Sequence, residues 1–292
     1  MSDLRVLDNE SLVLAITAFI NPRTPSQIFA LLRTEGRASL RDRFETLPPS
    51  HQEDIVRKAA EMADKGIGVL LFGDDDYPAK LGPLASSSPI LFYWGNLDLL
   101  KIPGLGMCGS RRASELGLKA ALACGEEVQE QGVVVVSGYA KGVDTETHLA
   151  ALRGGGKTII VLAEGFDSFR IKKTFPRELF RRENVLVLSQ FAPRQPWSAG
   201  GAMTRNRLIY GLGLALVVVE AGEKGGTLAA GQGALDTGRP VFVLDFNGST
   251  PAGNRLLLDK GGIPVSTRKR LGEEIRKLLA KARTAKQQLS LI

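Results

Sequence analysis

From residue 104 onward, six short runs of almost uninterrupted apolar residues recur between stretches of helical periodicity. No other feature restricts the fold as much. The runs are 105–108 (LGMC), 133–136 (VVVV), 158–162 (TIIVL), 185–188 (VLVL), 215–219 (ALVVV) and 241–244 (VFVL). A strand with one wet face alternates apolar and polar residues, whereas a strand apolar throughout is covered on both faces. Segments between the runs, such as "SELGLKAALACGEEVQEQG" and "TLAAGQGALDTG", repeat their apolar residues at helical spacing. Strands alternating with helices run parallel, joined by crossovers. The pattern therefore predicts an α/β domain, doubly wound, with a mostly parallel sheet.

Upstream the rhythm differs. Residues 1–66 read as short helices, with "NESLVLAITAFI" and "HQEDIVRKAAEMADKG" at helical spacing and Ser11 and Ser50 as expected caps. The prolines of "NPRTPS" and "LPPS" break the run, because proline fixes φ and removes a donor. A bridge follows at 67–103, where IGVLLF and ILFYWG are strand candidates around a Pro/Ser-rich loop. The expected organisation is a small helical N-terminal domain (1–66), an α/β domain (67–266) and a basic tail (267–292). In the tail, Leu271, Ile275, Leu278, Leu279 and Ala282 share one helical face. Two readings fit it: a helix docked on its own domain, or one offered to a membrane or an acidic partner.

The net charge of +7 over 292 residues is unevenly spread. The tail holds eight Lys/Arg and two Glu, which leaves 30 basic and 29 acidic residues on 1–266. Any anion site in the body must then be a local patch. No apolar run approaches the ~18 residues of a membrane span, and the N-terminus lacks the basic-then-apolar layout of a signal peptide, so a cytoplasmic protein is expected. Cys108 and Cys124, like His51 and His148, have neither disulfide-framework nor zinc-ligand spacing.

In a parallel sheet, ligands bind beyond the carboxyl ends of the strands, where loops lead into helix N-termini whose free N–H groups favour anions. Five such loops carry suitable residues. The first, "CGSRRAS", has Gly109, Ser110, Arg111 and Arg112; the second, "SGYAKGVD", has Ser137, Gly138, Lys141 and Gly142. The third, "AEGFDSFRIKKTFPREL", offers Gly165, Arg170, Lys172 and Lys173. The fourth leads to Arg205-Asn206-Arg207, read as the head of a helix, and the fifth, "EAGEKGGT", supplies Gly225, Gly226 and Thr227. Together they would form one concave surface suited to phosphate. No G-x-x-x-x-G-K-[ST] loop, G-x-G-x-x-G turn or Ser-His-Asp set is present. Asp144 reads as a helix-start residue that orients its loop. No catalytic residue, metal or cofactor is expected.

The ordered series "GSRRASELG", "VVVVSGYAKGVDTETHLAAL", "TIIVLAEGFD", "TRNRLIYGLGLALVVVEAGEKGGTLAAGQGALDTGRPVF" and "NRLLLDKGG" resembles the DNA-processing protein A family, also called DprA or Smf. The resemblance covers roughly residues 70–265, and "DDDYPAKL" with "PILFYWGNL" looks like the family's entry into its Rossmann-like domain. It implies a sterile-alpha-motif-like N-terminal domain and a non-enzymatic single-stranded DNA-binding protein. Such a protein protects DNA and helps load a RecA-type recombinase in natural transformation, commonly as a homodimer. By resemblance Arg111, Lys141, Arg205 and Arg207 line the DNA pocket, with Lys173 a further member. The chain departs from the family at "AEGFD", which puts Glu164 near the phosphates, and at "AMTRNR", which lacks the usual Phe-Pro. Phe166, Phe169, Phe175 and Trp197 are the aromatic residues available for base stacking, with buried packing the alternative for each. Two other readings use the same pocket: a nucleotide-sensing protein, and an enzyme similar to nucleoside-monophosphate phosphoribohydrolases. The latter carry a glutamate after their Gly-Gly-x-Gly-Thr that "EAGEKGGT" does not supply.

Overall fold

A computed structural model of the chain describes residues 9–20 and 24–289. Four helices come first: α1 (Glu10–Ala18), α2 (Pro25–Glu35), α3 (Ala38–Glu45) and α4 (Pro49–Asp64). An antiparallel pair follows, β1 (Ile67–Leu71) and β2 (Ile90–Gly95). The alternating series is β3 (Gly104–Cys108), α5 (Glu115–Glu130), β4 (Val134–Ser137), α6 (Val143–Arg153), β5 (Thr158–Val161) and β6 (Val185–Ser189). It continues through α7 (Ala199–Leu212), β7 (Leu216–Val218), α8 (Gly226–Asp236), β8 (Val241–Leu244), α9 (Ala252–Asp259), β9 (Ile263–Val265) and α10 (Arg268–Leu289).

All six apolar runs are strands of one sheet, ordered β1-β2-β6-β5-β4-β3-β7-β8-β9. Every residue of β4, β5 and β6 is buried, as continuous Val/Ile/Leu runs between two helical layers require. Only β2 runs against its neighbours; the remaining pairs are parallel. The chain winds outward from β3 through β4, β5 and β6, then returns to lay β7 on the other side of β3. That reversal opens a crevice beyond the carboxyl ends of β3 and β7. The short edge strand β9 escapes the sequence pattern because "IPV" is too brief to register as a run.

The apolar cluster of the four N-terminal helices is continuous with β1, β2, Ile160 of β5 and Val187 of β6. Residue 66 therefore marks a change of element type while the core runs through. Cap positions differ from those expected. Asn9 precedes α1 and Pro48 precedes α4, so Ser11 and Ser50 lie inside the helices. At α4 the pre-set φ of Pro49 at the first helical position does the work of a cap. A full capping box starts α2, where Thr24 and Gln27 bond each other's backbone N–H groups. The described part of the tail docks on α5: Leu271 and Ile275 are buried, and Arg268 pairs with Glu126, Glu127 and Glu130. Among the described residues no helix is long and apolar enough to cross a membrane.

Candidate functional site

Arg205 lies seven residues into α7, not at its head. The helix starts at Ala199, with the Ser198 hydroxyl accepting from the Gly201 N–H at 2.9 Å. Spacing explains the outcome: Arg205, Leu208, Ile209 and Leu212 recur at the helical period, so all four share the buried face. Arg207, two residues on, is turned about 200° away and is exposed. It lines neither of the cavities described below.

Only 5% of Arg205 is exposed. Its side chain lies across the carboxyl ends of the central strands and donates from Nη1 to the Val161 carbonyl at 2.8 Å. Gly138 makes room for it; a Cβ there would stand 1.7 Å from Nη1. Burial pulls the Arg205 pKa down, while Asp144 and then Glu164 oppose the shift. Its Nε–H is buried and has no hydrogen-bond partner among the described residues. A buried cation with an unused donor is costly unless an anion completes its shell.

Two cavities of about 510 and 420 Å³ meet over this arginine, sharing Arg111, Arg112, Ala140, Trp197 and Arg205 as a common wall. The first occupies the crevice between the β3 and β7 loops and reaches Asn206, Lys224, Gly225, Gly226 and Thr227 at the start of α8. Gly225 has φ +111°, a conformation that favours glycine. Asn206 donates to the Gly226 carbonyl at 3.1 Å, tying α7 to that loop. The second cavity reaches Tyr139, Lys141, Glu164 and Lys172. Burial raises the Glu164 pKa against the pull of Arg205 and Lys172, and burial lowers that of Lys172.

The loop carrying Arg111 and Arg112 is pinned from β7. The Ser110 N–H donates to the Glu220 carbonyl at 2.8 Å, and the Ser114 hydroxyl donates to the Glu220 carboxylate at 2.6 Å. Ser110 in turn accepts from the Arg112 N–H at 3.0 Å. Buried Asn254 holds the β7 and β8 ends together, accepting from the Ala221 N–H and donating to the Val219 and Leu244 carbonyls. Neither Glu220 nor Asn254 was a sequence candidate, since one acid and one amide distant in sequence carry no local signature.

Several expected site residues stand elsewhere. Ser137 is fully buried, its hydroxyl spent on the Met107 carbonyl at 2.7 Å. Gly165 packs on the Ala192 and Pro193 carbonyls, where a Cβ would collide, whereas Gly109 does line the first cavity while packing closely on Val143. Lys173 is exposed and off both cavities. Lys172 takes the inner place, its backbone N–H on the Tyr139 hydroxyl at 2.8 Å and its ammonium 4.0 Å from the Tyr139 ring centre. His148 is fully buried beneath Gly138, bonding its carbonyl through Nε2 at 2.6 Å and Thr158 through Nδ1 at 2.6 Å. Burial holds both thiols in the protonated form, with Cys124 pushed up to about 12.

The family model for DNA recombination-mediator protein A matches residues 68–276. The chain belongs to that family. The matched span holds every residue of both cavities, so the recombination-mediator fold is what builds the crevice and brings the five loops together. The DNA processing protein DprA of Streptococcus pneumoniae is 39% identical over 171 residues, 59% of this chain and 60% of the relative. Protein Smf of Synechocystis is 34% identical over 177 residues, 59% of this chain and 44% of its own length. The chain thus aligns with about half the length of these relatives. Among solved structures, DprA from Streptococcus pneumoniae superposes with TM-score 0.67 at 29% identity, covering 89% of this chain and 90% of that one. DNA processing protein A from Helicobacter pylori, described for its single-stranded DNA binding mode, superposes with TM-score 0.64 at 23% identity over 72% of this chain and 96% of that one. At that identity the likeness speaks for the fold.

Proposed function

We propose that this chain binds single-stranded DNA by its phosphates along the two joined cavities and acts without catalysis in DNA uptake or recombination. One observation carries the reading: a nearly fully buried arginine keeps a donor unpartnered at the floor of a crevice rimmed by other cations. Two adjoining cavities suit a chain of phosphates better than one small ligand. The binding mode described for the Helicobacter pylori relative supports the same ligand class. Protection of the strand, loading of a RecA-type recombinase and assembly as a homodimer belong to this proposal and rest on the family resemblance alone.

The test is the salt dependence of binding to a fluorescent oligo-dT. With Arg205, Arg111, Arg112, Lys141 and Lys172 each neutralising one phosphate, the logarithm of affinity falls against log[salt] with a slope of about −3.5. Binding independent of salt, or stronger to duplex than to single strand, would overturn the reading. A finer expectation separates two neighbouring lysines. Lys172→Ala lowers affinity about fivefold, the effect of one phosphate contact, whereas exposed Lys173→Ala leaves it unchanged in the same titration.

A further inference from the structure

Of the four aromatic residues available for stacking, three are engaged elsewhere. Phe166, Phe169 and Phe175 pack with Tyr139 and Phe180 in one cluster, their ring centres 5.4 to 6.5 Å apart. Tyr139 itself reaches the second cavity, but Lys172 covers its ring. Trp197 is different. It has no aromatic neighbour among the described residues, stays 49% exposed and stands in the wall common to both cavities. Among the described residues the one cation over its face is the Arg111 guanidinium, 4.9 Å from the ring centre.

Local sequence explains the uncovered ring. Trp197 directly precedes Ser198, the N-cap of α7. An apolar residue there ordinarily packs on the fourth helical position, and that position is Ala202, whose methyl is too small to cover an indole. The result is a broad aromatic face held between the cavities by a helix start. A nucleobase stacks on such a face irrespective of its identity. An exposed guanidinium on the same face gains little and finds a stronger, charge-assisted partner in a phosphate.

Resting on the single-strand reading above, we propose that Trp197 is the base-stacking residue of the groove. A base of the bound strand takes the ring face that Arg111 covers in the free protein, and Arg111 turns to the adjoining phosphate. The arrangement would let one strand cross both cavities, anchored by phosphate on Arg205 and by a base on Trp197.

The experiment compares oligo-dT with an abasic oligomer of equal length and charge. Trp197→Ala lowers affinity for oligo-dT about tenfold and leaves the abasic oligomer within about twofold, because its phosphate contacts persist. Trp197→Phe restores most of the oligo-dT affinity. In a Trp94→Phe background, where Trp197 is the sole tryptophan, oligo-dT changes the emission and the abasic oligomer does not. Equal losses on both oligomers, or no loss on either, would overturn the stacking role while leaving the single-strand reading intact. If the wild-type protein bound neither oligomer, the single-strand reading itself would fail and the stacking role with it.

Discussion

Replacing Arg205 by alanine is expected to lower affinity for single-stranded DNA roughly 100-fold, about 3 kcal/mol. Bonds between an ionised donor and a phosphate are among the strongest in proteins, and here the cation is already desolvated and fixed by the Val161 carbonyl. Its loss also leaves Asp144 and Glu164 facing the ligand without the cation that offsets them. A second variant separates charge from placement. Gly138→Ala keeps the guanidinium but puts a methyl where Nη1 now lies, so the arginine must leave its seat. Binding should fall in Gly138→Ala nearly as far as in Arg205→Ala. Fluorescence anisotropy on both variants, with urea unfolding to verify their fold, checks this. Full affinity in a folded Gly138→Ala protein would show that the seat of Arg205 is irrelevant.

Stability should depend on pH through His148. Burial lowers its pKa from 6.5 to about 4, with Lys172 and Arg205 adding to the shift and the Gly138 carbonyl and Asp144 opposing it. The neutral ring donates from Nε2 to the Gly138 carbonyl and keeps Nδ1 2.6 Å from the Thr158 hydroxyl. Between pH 6.5 and 4 the unfolded chain binds the proton and the folded one does not. The stabilisation is therefore complete above 6.5 and is lost progressively as pH falls toward 4, by about 3 kcal/mol in all. Other groups also weaken the fold in acid, so the informative quantity is the difference from His148→Gln. Urea unfolding at pH 7 and pH 4 should show wild type losing about 3 kcal/mol more than the variant. Parallel pH curves would mean that His148 titrates normally in the fold.

The sheet was legible because its strands are continuous apolar runs. Each of the six appears within about a residue of its expected place. The set of loops was legible too, since in a parallel sheet all the carboxyl ends face one way. Which residues of a loop turn inward was much less so. Lys172 and Lys173 are adjacent and chemically alike, and only the Tyr139 ring distinguishes them. Arg205 could have been placed from its spacing to Leu208, Ile209 and Leu212, but a charged residue in the motif looked like a helix head. Ser137 appeared available because its partner, the Met107 carbonyl, is thirty residues away. The tail's docking was half visible in its apolar stripe; the acidic stretch of α5 that receives Arg268 is a tertiary match.

Two basic regions compete for the role of binding site: the crevice, and the exposed face of α10. The decisive measurement is oligo-dT affinity, at one low salt concentration, for wild type, Arg205→Ala and a tail variant. The tail variant replaces the exposed residues Lys269, Arg276 and Lys281 with alanine, which leaves buried Leu271 and Ile275 to keep the helix docked. Binding at the crevice predicts that Arg205→Ala loses affinity roughly 100-fold while the tail variant stays within about threefold of wild type. Loss in the tail variant with full affinity in Arg205→Ala would contradict it.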